Sequence, residues 1–337
     1  MTSISVIDSF DTINDAKMPF LAQALHPEIV QLQFNQLALW QNTQPMQLQA
    51  IRVIRHKPGR RCLIEYDVVE NQSVVTLIGK ARAKGLDQCS FRLMQLLWHN
   101  GFDAQSCDRI SIPQPIGMIA PFQMWLQHKV PGTLATDLLP QAAGITLAQH
   151  IAQAMHKLHQ AHIVPRRSHT MTDELKILRD RLSQVIQLYP HWSRRIEQLL
   201  VACETLGAAT PELETTGIHR DFYPDQVLVA GDRIYLLDLD LYCIGDPSLD
   251  LGNFVAHITE QSLRTLGNEN ALIDREEAAI AEFVRLSNTT RATIQAYKTL
   301  TLARHIYIST LFPERQRFTE TLLELCEQRL SVAFHCV

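Results

Sequence analysis

The chain has 337 residues, 46% hydrophobic and 20% charged, an ordinary globular composition with enough length for two cores rather than one. Its formal net charge of -4 gives neither a nucleic acid nor an anionic membrane surface an electrostatic reason to bind. Seven scattered cysteines, Cys62, Cys89, Cys107, Cys203, Cys243, Cys326 and Cys336, form no Cys-x-x-Cys pair, which argues against a disulfide framework or a zinc site and for reduced thiols.

The first fifteen residues carry acids where a signal peptide would carry a basic region and an apolar core, and no stretch approaches the length of a membrane span. A cytoplasmic protein is therefore expected. Ile51 to Ile54 and Cys62 to Val69 are β-branched runs flanking the Pro58-Gly59 turn, so they read as a hairpin, and Asn71-Gln72-Ser73 turns the chain into a third strand ending at Lys80. Phe91 to Trp98 has a helical period, and Gly101 follows where a helix would stop. Pro113, Pro115 and Pro121 bracket short strands that end in Met124-Trp125-Leu126. Gln127 to Gly132 combines polarity with a Pro-Gly break and reads as a linker, dividing the chain into domains 1-127 and 128-337.

Beyond that linker helices dominate. Leu147, Ile151, Met155 and Leu158 mark one buried face. Thr170 with Asp173 predicts a capping box, and the helix it starts runs through Leu188 until Pro190 interrupts. From Glu276 onward the pattern is helical again, with breaks near Asn288 and Pro313. The exception is the segment from Ile218 to Leu241. It reads as loop, strand Val227-Leu228-Val229, tight turn Gly231-Asp232, strand Ile234 to Leu237, then Asp238. Such a hairpin fixes Asp221 before its first strand and Asp238 at the end of its second, so both carboxylates can lie at one edge. Phosphoryl transfer uses such a pair, one acid to accept or orient a hydroxyl proton and another to hold magnesium against phosphates.

At these residues the chain resembles the aminoglycoside phosphotransferase and choline kinase group. The family pattern is His-x-Asp, four residues, Asn, a strand pair ending in Asp, then Gly-Asp-Pro and Asp-Leu. His219-x-Asp221, Gln226, Asp238, Gly245-Asp246-Pro247 and Asp250-Leu251 stand in that order. The resemblance implies an α+β, protein-kinase-like two-lobe fold, with an antiparallel-sheet N-terminal lobe and a mostly helical C-terminal lobe.

It also implies an ATP- and magnesium-dependent phosphotransferase acting on a hydroxyl of a small molecule. The alternative is a catalytically weak or inactive nucleotide-binding pseudokinase acting through partners. Asp221 would be the catalytic base, Asp238 and Gln226 the metal ligands, and Lys80 the phosphate-binding lysine. Asp240, placed by strand alternation on the same face, is second to Asp238. His219 and Asp250 would hold the catalytic loop rather than touch substrate. Arg60 in the Pro58-Gly59 turn would pair with phosphate, or simply be solvated. Adenine would lie near Trp125 and Gln127, with Trp125 equally a core residue.

Three departures stand out. Gln226 replaces the family's Asn, Arg220 replaces a small residue, and the helix after Lys80 offers Asp87 in place of a Glu. His150, His156, His159 and His162 read as helix-surface histidines rather than a metal site, and the interleaved acids and arginines from Glu314 to Arg329 as a solvated mixed-charge helix.

Overall fold

A computed structural model of the chain describes residues 4–37, 46–70 and 72–335, and within the last helix no side chain beyond Ser331. It comprises two compact units, one running to Gly132 and including Tyr235–Leu237, the other formed by Thr133–Ile234 and the chain from Asp238 on.

The first unit contains β1 (Ser5–Ile7), α1 (Leu21–Ala24), α2 (Pro27–Phe34), β2 (Gln47–Lys57), β3 (Arg61–Glu70), β4 (Ser73–Arg82), α3 (Gln88–Leu97), β5 (Ile110–Ser111), β6 (Pro115–Ile119) and β7 (Met124–His128). Its sheet has the order β1-β2-β3-β4-β7-β6, with β1 parallel to β2 and the other neighbours antiparallel. The three expected strands are β2 to β4. Their burial alternates as a pleated strand requires, and Cys62, Ile64, Tyr66 and Val68 of β3 all point into the core.

The β2–β3 turn works because Gly59 adopts φ 64, a left-handed conformation that costs glycine little, and because Asp15 braces it. Asp15 Oδ2 accepts the Gly59 N–H at 2.7 Å and faces His56 Nε2 at 2.9 Å. Of the next expected turn, Gln72 has φ 67 and Asn71 lies outside the described residues. Cys336 lies outside them too, and the other six cysteines are free. Helix α3 buries Phe91, Met94 and Leu97, and the chain turns away through Gly101 at φ 83. The first two residues of the expected linker, Gln127 and His128, belong to β7, because they extend its ladder to Ile78 and Leu77 of β4.

The second unit contains β8 (Thr133–Leu134), α4 (Ala135–Leu138), α5 (Gly144–His159), α6 (Met171–Leu188), α7 (Ser193–Ala209), β9 (Thr216–Ile218), β10 (Val227–Ala230), the first half of β11 (Arg233–Leu236), β12 (Cys243–Gly245), α8 (Ser248–Leu266), α9 (Ile273–Leu286), α10 (Arg291–Thr310) and α11 (Thr319–His335). Helix α6 starts at the expected capping box, with Asp173 Oδ2 accepting the Thr170 N–H at 2.9 Å, and stops two residues before Pro190. A second box at Thr290 and Thr293 opens α10. Leu178 and Leu182 of α6, Ile196 of α7, Ala303 and Ile306 of α10 and Leu323 of α11 pack into one apolar core.

The acids near the C-terminus do not form one mixed-charge helix. Glu314 to Arg317 lie in a 3-10 turn, Pro313–Phe318, because Pro313 cannot continue α10. In α11 Glu320 and Glu327 take Arg195 of α7, at 3.2 and 2.7 Å, instead of the arginines interleaved with them in sequence.

Candidate active site

The loop between β9 and β10 carries His219, Arg220 and Asp221, and one buried carboxylate holds it. Asp250, on the first turn of α8, accepts the His219 N–H through Oδ2 at 2.7 Å and the Arg220 N–H through Oδ1 at 2.6 Å. His159, the last residue of α5, donates from Nε2 to the same Oδ2 at 2.8 Å. One turn further along α8, Asn253 Nδ2 donates to the Arg220 carbonyl at 2.8 Å.

Both polar groups of the Arg220 backbone are thus satisfied by α8. Arg220 has φ 72, a conformation worth roughly 1–2 kcal/mol of strain in a residue with a Cβ, and it persists because these bonds define it. The bend presents Asp221 at the wall of a cavity of about 310 Å³, while His219 is fully buried against Phe222. His159 was expected on a helix surface. It is 3% exposed, because α5 ends against α8 and the imidazole spans to Asp250.

After Asp221 the chain makes a 3-10 turn, Pro224–Gln226, in which the Gln226 N–H donates to the Tyr223 carbonyl at 2.9 Å. Gln226 is buried, at 7% exposure. The strand β11 ends at Leu236, so strand alternation does not reach Asp240. Asp238 takes φ 52 and begins a 3-10 turn, Leu239–Leu241, that carries Asp240 on a tighter period. The expected shared face of Asp238 and Asp240 is corrected accordingly, since alternation holds only within extended chain.

The other cavity walls come from distant parts of the sequence. Arg264 and Glu260 stand on α8, Arg304 and His305 on α10, and Arg315 on the following 3-10 turn. Arg304 donates to Asn253 Oδ1 at 2.9 Å and to Glu174 Oε2 at 3.1 Å. Glu174 also faces His169 Nε2 at 2.5 Å, and Arg304 with that hydrogen bond holds its carboxyl below the usual range against the opposing effect of burial. None of these cavity residues falls in the His-x-Asp segment, so sequence reasoning missed them. Asn253, three residues after Asp250, carried the one usable signal, a polar side chain in an otherwise apolar helical run.

Lys80, Arg60, Trp125 and Gln127 lie in the first unit. Lys80 and Trp125 are register partners across β4 and β7, with the ammonium 5.0 Å from the indole centroid. Trp125 is 1% exposed and touches Phe91, so its ring belongs to the interior. Gln127 is 6% exposed and its Oε1 is buried without a hydrogen-bond partner among the described residues. Arg60 is exposed on the β2–β3 turn. Asp87 does not serve Lys80. It accepts the Ser90 N–H as the N-cap of α3 at 3.0 Å, and its other oxygen pairs with Arg82 at 3.1 Å.

A family model described as the phosphotransferase enzyme family matches residues 74–283, more than half of the chain. Among solved structures, choline kinase from Cryptosporidium parvum Iowa II is 12% identical with a TM-score of 0.58, over 92% of this chain and 97% of that one. Aminoglycoside phosphotransferase APH(4)-Ia, in ternary complex with ADP and hygromycin B, is 13% identical with a TM-score of 0.57, over 90% and 97%. Spectinomycin phosphotransferase APH(9)-Ia, in complex with ADP and spectinomycin, is 12% identical with a TM-score of 0.55, over 86% and 93%. At these identities the likeness is one of fold, and it makes the architecture the α+β, kinase-like one. No curated protein matches the chain by sequence.

Proposed function

Because this chain belongs to the phosphotransferase enzyme family, we propose that it transfers the γ-phosphoryl group of ATP to a hydroxyl of a small molecule, with Asp221 as the base. The observation that carries this reading is the pinning of the Asp221 loop. Asp250 and Asn253 take three backbone groups of His219 and Arg220 and fix the strained bend that brings Asp221 to the cavity wall. Preorganisation of this kind is how an enzyme meets the orientational cost of transfer before the substrate arrives.

The acceptor hydroxyl oxygen bonds to the γ-phosphorus, the bond from that phosphorus to the bridging oxygen breaks, and ADP leaves with the electron pair. The hydroxyl proton goes to the Asp221 carboxylate. The donors at Asp238 and Gln226 suit a hard cation, since both are oxygens, one a carboxylate and one an amide carbonyl. Magnesium held there would neutralise charge on the phosphates.

On the nucleotide side, Lys80 would meet the phosphates and Arg60 would reach them from the β2–β3 turn. The β7 strand would border adenine, with Gln127 offering the partnerless Oε1 and Trp125 supporting the strand from behind. We place the reaction in the cytoplasm, where ATP is at hand and free cysteines stay reduced.

The test is ADP release by the purified protein with ATP and magnesium across a panel of small alcohols, beside Asp221→Asn. Release stimulated by an acceptor and lowered at least about a hundredfold by Asp221→Asn is expected. Equal turnover by parent and variant would sink the assignment.

A further inference from the structure

The cavity beside Asp221 is walled by three guanidinium groups, and their partners do not neutralise them all. Arg264 Nε donates to Glu260 Oε1 at 3.0 Å, and Arg315 Nη1 lies 4.0 Å from that same oxygen, so two cations share one carboxylate. Both side chains keep 28% of their surface exposed, enough for the remaining N–H groups to meet a ligand. Arg304 balances Glu174, which lies behind the wall, and spends one bond on the neutral amide of Asn253. On this wall three guanidiniums stand against Glu260 and Glu174, one positive charge in excess, while Asp221 and Asp225 bring the cavity's lining as a whole to three carboxylates for three guanidiniums. The other acids lining the cavity, Asp221 and Asp225, both lie on the loop side. Asp221 there awaits a hydroxyl, and Asp225 accepts a hydrogen bond from Thr136.

Two further observations point the same way. His305, 2% exposed and lining the cavity, has Nε2 buried without a hydrogen-bond partner among the described residues. Its ring meets His257 edge-on at 4.4 Å, and His257 stacks on Tyr223 at 4.6 Å. Burial lowers the proton affinity of both imidazoles, His305 lowers that of His257 further, and Arg304, Arg315 and Arg264 act in the same direction on each.

We infer that the acceptor is an anionic alcohol, bound through a carboxylate or phosphate group by Arg264, Arg315 and Arg304 while its hydroxyl meets Asp221. This rests on the phosphotransferase reading and narrows it. A guanidinium fork matches the paired oxygens of either group, whereas an ammonium-bearing acceptor would face repulsion from the same wall. A cavity of about 310 Å³ is at the small end of ligand sites and suits a compact metabolite.

The experiment uses size-matched probes that differ in charge: glycerol, 3-amino-1,2-propanediol, glycerate and glycerol 3-phosphate, and the pentoses ribose, ribonate and ribose 5-phosphate. Thermal stabilisation and ADP release with ATP and magnesium are measured for each. The acids should exceed their neutral and cationic counterparts at least about tenfold in kcat/KM, and glycerate against glycerol 3-phosphate then separates carboxylate from phosphate. Arg315→Gln and Arg264→Gln should each raise the KM of the acid about tenfold and leave the KM of ATP unchanged, and Arg315→Glu should erase the preference for acids. Preference for the amine or the neutral alcohol, or an acid preference that survives all three substitutions, overturns the inference. If no probe is phosphorylated, the transfer reading is what fails. Stabilisation by the acids that Arg315→Gln removes would still establish the anion site, and stabilisation that ignores charge would eliminate it.

Discussion

Arg304 is tied to the backbone of Arg220 through a single amide. Its Nη2 donates to Asn253 Oδ1 at 2.9 Å, and Asn253 Nδ2 donates to the Arg220 carbonyl at 2.8 Å. The cavity wall and the loop bearing Asp221 therefore share one support. Asn253→Asp keeps the shape and the acceptor but loses the donor, leaving the Arg220 carbonyl opposite a carboxylate oxygen. Unfolding free energy should fall by about 1–3 kcal/mol, and kcat by roughly tenfold to a hundredfold. Urea denaturation beside steady-state kinetics checks both, and unchanged kcat would dissociate Asn253 from the placement of Asp221.

Lys298 and Glu276 form an ion pair deep in the second unit, each 1% exposed, with Thr259 Oγ1 donating to the same carboxylate at 2.5 Å. Burial lowers the lysine's affinity for its proton, and Glu276 partly restores it. Breaking the pair strands a charge in an apolar setting, so Glu276→Gln or Lys298→Met should each cost about 3–5 kcal/mol. The double replacement should recover much of that loss, because no charge remains buried. Chemical denaturation of the three variants measures the coupling.

His305 gives a pH dependence whose sign is fixed. Burial, then the arginines around it, lower its folded-state value to about 3 from an ordinary 6.5, so the unfolded chain binds the proton more readily. Its contribution is complete above the unfolded value and lost as pH falls from there toward the folded one. By pH 5 the loss from this residue alone amounts to roughly 2 kcal/mol. His305→Gln should flatten the acid limb of a stability-against-pH curve by about that much, and a superimposable curve would contradict the assignment.

On the nucleotide side, Lys80→Ala should raise the KM of ATP about tenfold or more while the acceptor's KM stays put. Initial rates with each substrate varied in turn separate the two. A change confined to the acceptor would move Lys80 out of the proposed site.

The amino-acid pattern disclosed those parts of the molecule whose cause is local. Pro58-Gly59 fixes a turn because glycine tolerates φ 64 there, and Thr170 with Asp173 starts a helix because their groups bond each other. The order from His219 to Asp250 pointed to the loop for the same reason, since its parts lie within one short stretch of chain. What stayed hidden has a non-local cause. Arg264, Arg304 and Arg315 sit on three elements and meet only through the packing of α8 and α10. His159 reads as exposed until α5 is docked on α8, and Asp240 leaves the strand face because the backbone at Asp238 turns left-handed. The short parallel strand β1 has only three residues, too few for any period to register.

Asp87 is committed to the cap of α3 and to Arg82, and the ammonium of Lys80 rests over the indole of Trp125 in the adjacent strand. The lysine is therefore carried by the sheet, and α3 reaches it through Phe91 packed against Trp125 and not through a carboxylate. A shift of α3 would be felt at the lysine as a change of packing behind Trp125 rather than as the making or breaking of an ion pair.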